Sequence, residues 1–98
     1  MWDIRGKLVL VTGPTTGIGR QIATQLADGG AHLVLACRDV ERGEALAGDL
    51  RRRTRTEAHV VHLDASVQAS IRECARTCRE RFPAIEVLVN NAGLAHGE

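Results

Sequence analysis

Lys7-Leu8-Val9-Leu10-Val11-Thr12-Gly13-Pro14-Thr15-Thr16-Gly17-Ile18-Gly19 is the stretch on which the reading turns. Its apolar start, Lys7 to Val11, reads as a short buried strand, and Thr12 to Gly17 reads as a loop. From Ile18 the spacing becomes helical: Ile18, Ile22 and Leu26 share one face, while Gln21, Gln25 and Asp28 lie off it. Gly29-Gly30 ends that helix, because glycine adopts a left-handed C-cap without steric cost. Strand, glycine loop and helix in immediate succession place backbone N–H groups and the positive end of a helix dipole at one point. That point suits a phosphate.

Working outward, apolar runs and helical patterns alternate with no linker and no internal repeat. His32 to Ala36 is a second strand, and Asp39 is placed to cap a second helix running to about Thr54, whose last turn holds Arg51, Arg52 and Arg53. Ala58 to Leu63 is a third strand. Ser66 is placed to cap a third helix with the apolar stripe Ile71, Cys74, Ala75, Cys78 and Phe82, which Pro83 ends. Ile85 to Val89 is a fourth strand and leads into Asn90-Asn91-Ala92-Gly93. Strands joined by helices imply right-handed crossovers, hence an α/β fold with a Rossmann-type parallel sheet, order 3-2-1-4, and flanking helices. In such a sheet the ligand crevice lies where the chain reverses direction, between strands one and four. Residues 1–98 are read as one dinucleotide-binding domain, N-terminal part only, truncated relative to the full doubly wound fold.

Composition narrows the function classes. With 13 basic and 12 acidic residues among 98, the chain has no global field for nucleic acid or an anionic membrane. The apolar runs are too short to span a bilayer or to form a signal-peptide core, so a cytoplasmic protein is expected. Cys37, Cys74 and Cys78 are odd in number and lack metal-ligand spacing, so they read as reduced thiols. His59 and His62, three apart on a strand, face opposite sides and cannot chelate one ion. No metal site is expected. Oligomerisation is left open.

In this context the glycines take separate roles against a dinucleotide pyrophosphate: Gly13 makes the tight turn, Gly17 admits the phosphate to the backbone, and Gly19 lets the helix pack closely on the strand. Thr15 and Thr16 offer hydroxyls, whereas Pro14 has no N–H to give. An NAD-type site wants an acidic residue at the end of strand two, and this chain has Cys37 there. Arg38 follows, and its guanidinium can clamp a 2'-phosphate, so NADP(H) is favoured over NAD(H). Asp39 either neutralises Arg38 or only caps the next helix.

Thr-Gly-x-x-x-Gly-Ile-Gly at 12–19, Asp64 at the end of strand three and Asn-Asn-Ala-Gly at 90–93 together resemble the short-chain dehydrogenase/reductase family. The resemblance extends from Gly6 to Gly93, and Ala36-Cys37-Arg38-Asp39 resembles its retinol-dehydrogenase-like, NADP-preferring branch. It implies that Asp64, with Ala65 beside it, meets the adenine amino group. It also implies that Asn91, with Ala92 and Gly93 after it, lines the ribose and nicotinamide end while bracing the sheet.

The family's catalytic set is a Tyr-x-x-x-Lys pair with an upstream serine, and here the sequence departs from it. The chain has no tyrosine, its lysine is Lys7, and its serines are Ser66 and Ser70, so no catalytic residue is assigned. The expectation is the NADP(H)-binding part of an oxidoreductase that interconverts alcohols and carbonyls, acting on a small molecule in a longer parent and inactive alone. The alternative is a complete, non-catalytic dinucleotide-binding or interaction module.

Overall fold

The computed structural model describes residues 3–91. Its elements run β1 (Leu8–Thr12), α1 (Gly17–Asp28), β2 (His32–Cys37), α2 (Val40–Arg53), β3 (Ala58–His62), α3 (Gln68–Arg81) and β4 (Val87–Asn90). The four strands form one parallel sheet in the order β3-β2-β1-β4. This is the expected Rossmann-type arrangement. Registers Thr12↔Ala36 and Thr12↔Asn90 bring the C-terminal ends of β2, β1 and β4 to one level, at the edge where the glycine loop begins.

The central strands β1 and β2 show two apolar faces because side chains alternate and helices cover both sides. Val9, Val11, Leu33 and Leu35 are fully buried on one face against Ala23, Ala27, Leu46 and Leu50 of α1 and α2. On the other face Val34, Ala36 and Val61 pack with Cys74 and Cys78 of α3. Truncating a fully buried Leu33 or Leu35 to alanine removes about 2–5 kcal/mol, a large part of the stability of a domain this small.

Two expectations about the helices are corrected. The buried face of α1 is Gly19, Ala23 and Ala27, with Leu26 half-buried against the same core, while Ile18 is 65 % exposed and lies off the contact. Ile71 of α3 is also exposed, and Ala75 with it, while Cys74 and Cys78 make the packing stripe as expected.

Capping is split in the same way. Asp39 caps α2, its carboxylate accepting from the Arg42 N–H at 3.1 Å. Ser66 does not cap α3: the N-cap is Val67, without a side-chain bond, and the Ser66 hydroxyl turns back to Asp64. A carboxylate two residues away is a stronger acceptor partner than a helix N–H is a donor to serine. At the far end of α1, Gly30 has φ +94°, with Ala31 N–H donating to the Leu26 carbonyl and Gly30 N–H to Ala27, a Schellman cap. Among the described residues no helix is long and apolar enough to cross a membrane.

Candidate functional site

β1 ends at Thr12, and the chain then turns through Gly13 at φ +62° and enters α1 at Gly17 with φ +55°. Both values lie in the left-handed region that glycine occupies most cheaply. A Cβ on Gly17 would meet nothing within 4 Å, so this backbone is open to the cleft beside it. Gly19 is the opposite case, because a Cβ there would lie 2.0 Å from the Gly13 carbonyl oxygen and 2.4 Å from Asn91 Nδ2. The expected close packing of Gly19 is therefore against the loop and Asn91, rather than against the strand. Pro14 is fully buried behind the turn. Thr16 is the N-cap of α1 but makes no side-chain capping bond, and the first turn carries no acidic residue. The positive end of the α1 dipole thus meets no acidic residue of its own first turn.

A cleft of about 550 Å³ opens at this point, along the C-terminal ends of the strands. Its walls include Gly13, Thr15, Thr16, Gly17 and Ile18 from the loop and α1, Cys37 and Arg38 after β2, Asp64 and Ala65 after β3, and Asn91 after β4. The structure thus gathers nearly all the sequence-derived site residues around one space. Gly19 sits behind the loop, and Ala92 and Gly93 lie outside the described residues.

Charges around the cleft are unevenly matched. Arg38 is exposed and makes no hydrogen bond or ion pair among the described residues. Asp39, the candidate to neutralise it, is instead engaged by the Arg42 N–H and lies 3.9 Å from Arg42 Nε. Asp64 accepts from the Ser66 N–H at 3.0 Å and from the Ser66 hydroxyl at 2.6 Å, both on Oδ1. These bonds, with the charges of Arg38 and His62 adding to them, hold its carboxyl below the usual carboxylate range. Burial pushes the Cys37 thiol up to about 11, assisted by the charges of Asp39 and Glu44, so it stands at the cleft wall as a neutral group.

Asn91 is buried, and its Nδ2 donates to the Gly13 carbonyl at 3.0 Å. Its N–H donates to Thr12 Oγ1 at 2.9 Å, and that hydroxyl donates to Asn90 Oδ1 at 3.1 Å. The loops after β1 and β4 are thereby laced together through side chains. Sequence reasoning missed two participants. Thr12, expected in the loop, is the last residue of β1 and the pivot of this lacing, opposite Asn90 in a parallel register that no local sequence pattern reports. Arg42 also lines the cleft, and the Arg38-x-x-x-Arg42 spacing, which places it in the first turn of α2, pointed to it.

Comparison with known proteins places this geometry. The family model for short chain dehydrogenase matches residues 7–98. The chain is 46 % identical over 92 residues to human retinol dehydrogenase 13, a match covering 93 % of this chain and 28 % of that protein. Among solved structures it is similar to L-sorbose reductase from Gluconobacter frateurii complexed with NADPH and L-sorbose, with TM-score 0.85 and 33 % identity over 94 % of this chain and 36 % of that one. It is also similar to a short chain dehydrogenase/reductase from Burkholderia phymatum in complex with NAD, with TM-score 0.77 and 31 % identity over 90 % of this chain and 31 % of that one. The chain spans about a third or less of the length of these proteins. With the family model covering nearly all of it and the glycine turn, cleft and sheet order in agreement, the chain belongs to the short-chain dehydrogenase family.

Proposed function

We propose that residues 1–98 form the NADP(H)-binding N-terminal part of a short-chain oxidoreductase that interconverts alcohol and carbonyl groups of a small molecule. The observation that carries the reading is the single cleft on whose walls the glycine turn, Arg38, Asp64 and Asn91 all stand. A dinucleotide fits that donor set. The open backbone at Gly17 and the N-terminus of α1 would take the pyrophosphate, with the Thr15 and Thr16 hydroxyls beside it. Asp64 and Ala65 would take the adenine. Asn91, followed by Ala92 and Gly93, would border the nicotinamide-side ribose. When bound, the nicotinamide supplies or accepts the hydride of the reaction.

The choice of NADP(H) over NAD(H) rests on Cys37 and Arg38. A neutral thiol at the end of β2 offers no carboxylate to a ribose 2'-hydroxyl. Arg38, left unpaired by Asp39, is available to a 2'-phosphate. The fold alone does not choose, since one structural relative holds NADPH and another NAD.

The absence of tyrosine favours a second reading, a dinucleotide-binding module without catalysis. Supplying the purified chain with NADPH and a panel of aldehydes and ketones separates the two in combination with an extended chain. The proposal expects no NADPH oxidation from residues 1–98 and measurable oxidation once the chain is extended through a serine and a Tyr-x-x-x-Lys segment. Lack of activity in every such extension would favour the module.

A further inference from the structure

We propose that Ser66 is a positioning residue for base recognition: it fixes the Asp64 carboxylate so that the cleft selects a purine with an exocyclic amino group over a 6-oxo purine. The inference rests on the dinucleotide reading above and concerns its adenine end.

Asp64 follows the half-buried Leu63 at the end of β3 and is held at several points. Its N–H donates to Ser70 Oγ of α3 at 2.8 Å, and its carbonyl accepts from the Val67 N–H at 3.0 Å, so the backbone is fixed between strand and helix. The side chain is then set by Ser66 alone, through two donors, the hydroxyl at 2.6 Å and the N–H at 3.0 Å. Both are spent on Oδ1. Among the described residues Oδ2 accepts no hydrogen bond, and Asp64, Ala65 and Ser66 all line the cleft.

An ionised carboxylate only accepts hydrogen bonds. The Ser66 bonds and the nearby charge of Arg38 keep Asp64 ionised at neutral pH. An amino group at the 6-position of a purine therefore finds an acceptor, and a carbonyl oxygen there finds a negative charge. Selection of this kind needs the carboxylate to stay in place, because a freely rotating one would let a 6-oxo base approach with water between. The Ser66 hydroxyl supplies the shorter of the two restraints. Ser66 is exposed and outside α3, so replacing it leaves the core and the helix intact.

The test is a titration of the chain and its variants with NADPH and with the hypoxanthine analogue of NADPH, read as the ratio of the two dissociation constants. The unsubstituted chain should favour NADPH by roughly ten- to a hundredfold, the range for a hydrogen bond to a charged group. Ser66→Ala should cut that ratio severalfold, chiefly by improving relative binding of the analogue, and Ser66→Thr, which keeps both donors, should retain it. Asp64→Asn, whose amide can donate to a 6-oxo group, should bring the ratio to unity or invert it. An unchanged ratio in Ser66→Ala, or equal weakening of both ligands, would overturn the positioning role. Failure of the unsubstituted chain to bind either dinucleotide would remove the dinucleotide reading and this inference with it.

Discussion

Asn91 Nδ2 donates to the Gly13 carbonyl oxygen at 3.0 Å, tying the residue after β4 to the turn after β1. The two loops border the crevice from adjacent strands, so this bond fixes the shape of the cleft floor. Asn91 is only 7 % exposed, and its replacement by alanine leaves the half-buried Gly13 carbonyl without this partner. We expect Asn91→Ala to lose about 1–3 kcal/mol in urea unfolding and to weaken dinucleotide binding as well. Stability and binding both equal to those of the unsubstituted chain would show that the lacing is incidental.

Gly19→Ala and Gly17→Ala should fail for different reasons. At Gly19 the added carbon meets the Gly13 carbonyl and Asn91 Nδ2, so loop and helix must part, at a cost of about 1–3 kcal/mol that outweighs the gain in helix propensity. At Gly17 the space is empty but φ is +55°, and the strain costs about 1–2 kcal/mol. Thermal melts of both variants, with Gln21→Ala as an exposed-surface control, measure the difference. A Gly19→Ala variant as stable as the parent would contradict the close approach.

Alkaline conditions should destabilise the fold through its thiols. Cys37 is buried, and its pKa is about 11 against an ordinary 9.0, so the unfolded chain releases the proton first. The folded pKa is the raised one, hence stability is fully present below pH 9 and falls between about pH 9 and 11, by at most about 2–3 kcal/mol from this group. Burial pushes Cys74 in the same direction. Urea midpoints measured across that range should decline, and Cys37→Ala should flatten the decline. A flat profile in the parent chain would contradict the buried, protonated thiol.

Much of this architecture was legible because it is written in spacing. The runs at 7–11, 32–36, 58–63 and 85–89, separated by helical patterns, left little choice but a parallel sheet, and the glycines at 13, 17 and 19 marked the edge where the cleft opens. What spacing reports is a face, not a depth. Ile18 sits in the helical pattern yet is exposed, because α1 meets the sheet through Ala23 and Ala27, with Leu26 beside them. Ser66 has the composition of a cap, but the sequence does not say which of two acceptors or donors a hydroxyl will choose, and Asp64 won. The Thr12 lacing depends on the pairing of β1 with β4, 78 residues away in sequence, which no local pattern contains.

The outer edge of β4 should make the chain associate. Among the described residues β4 pairs with β1 on one side only, and Leu88 on the α3 side of the sheet is 60 % exposed. An apolar, uncharged edge strand is a template for pairing with another chain. Sedimentation of residues 1–98 should show concentration-dependent association that Leu88→Lys reduces. A concentration-independent monomer would contradict this.

The central claim, a cleft built for NADP(H), is tested most directly by titrating the chain with NADPH and NADH in parallel, before and after Arg38→Asp. A charge-assisted clamp on the 2'-phosphate contributes about 1.5–3 kcal/mol, so NADPH should bind roughly ten- to a hundredfold more tightly than NADH. Arg38→Asp should reverse the order. Equal affinities that the substitution leaves unchanged, or no saturable binding of either dinucleotide, would contradict the account.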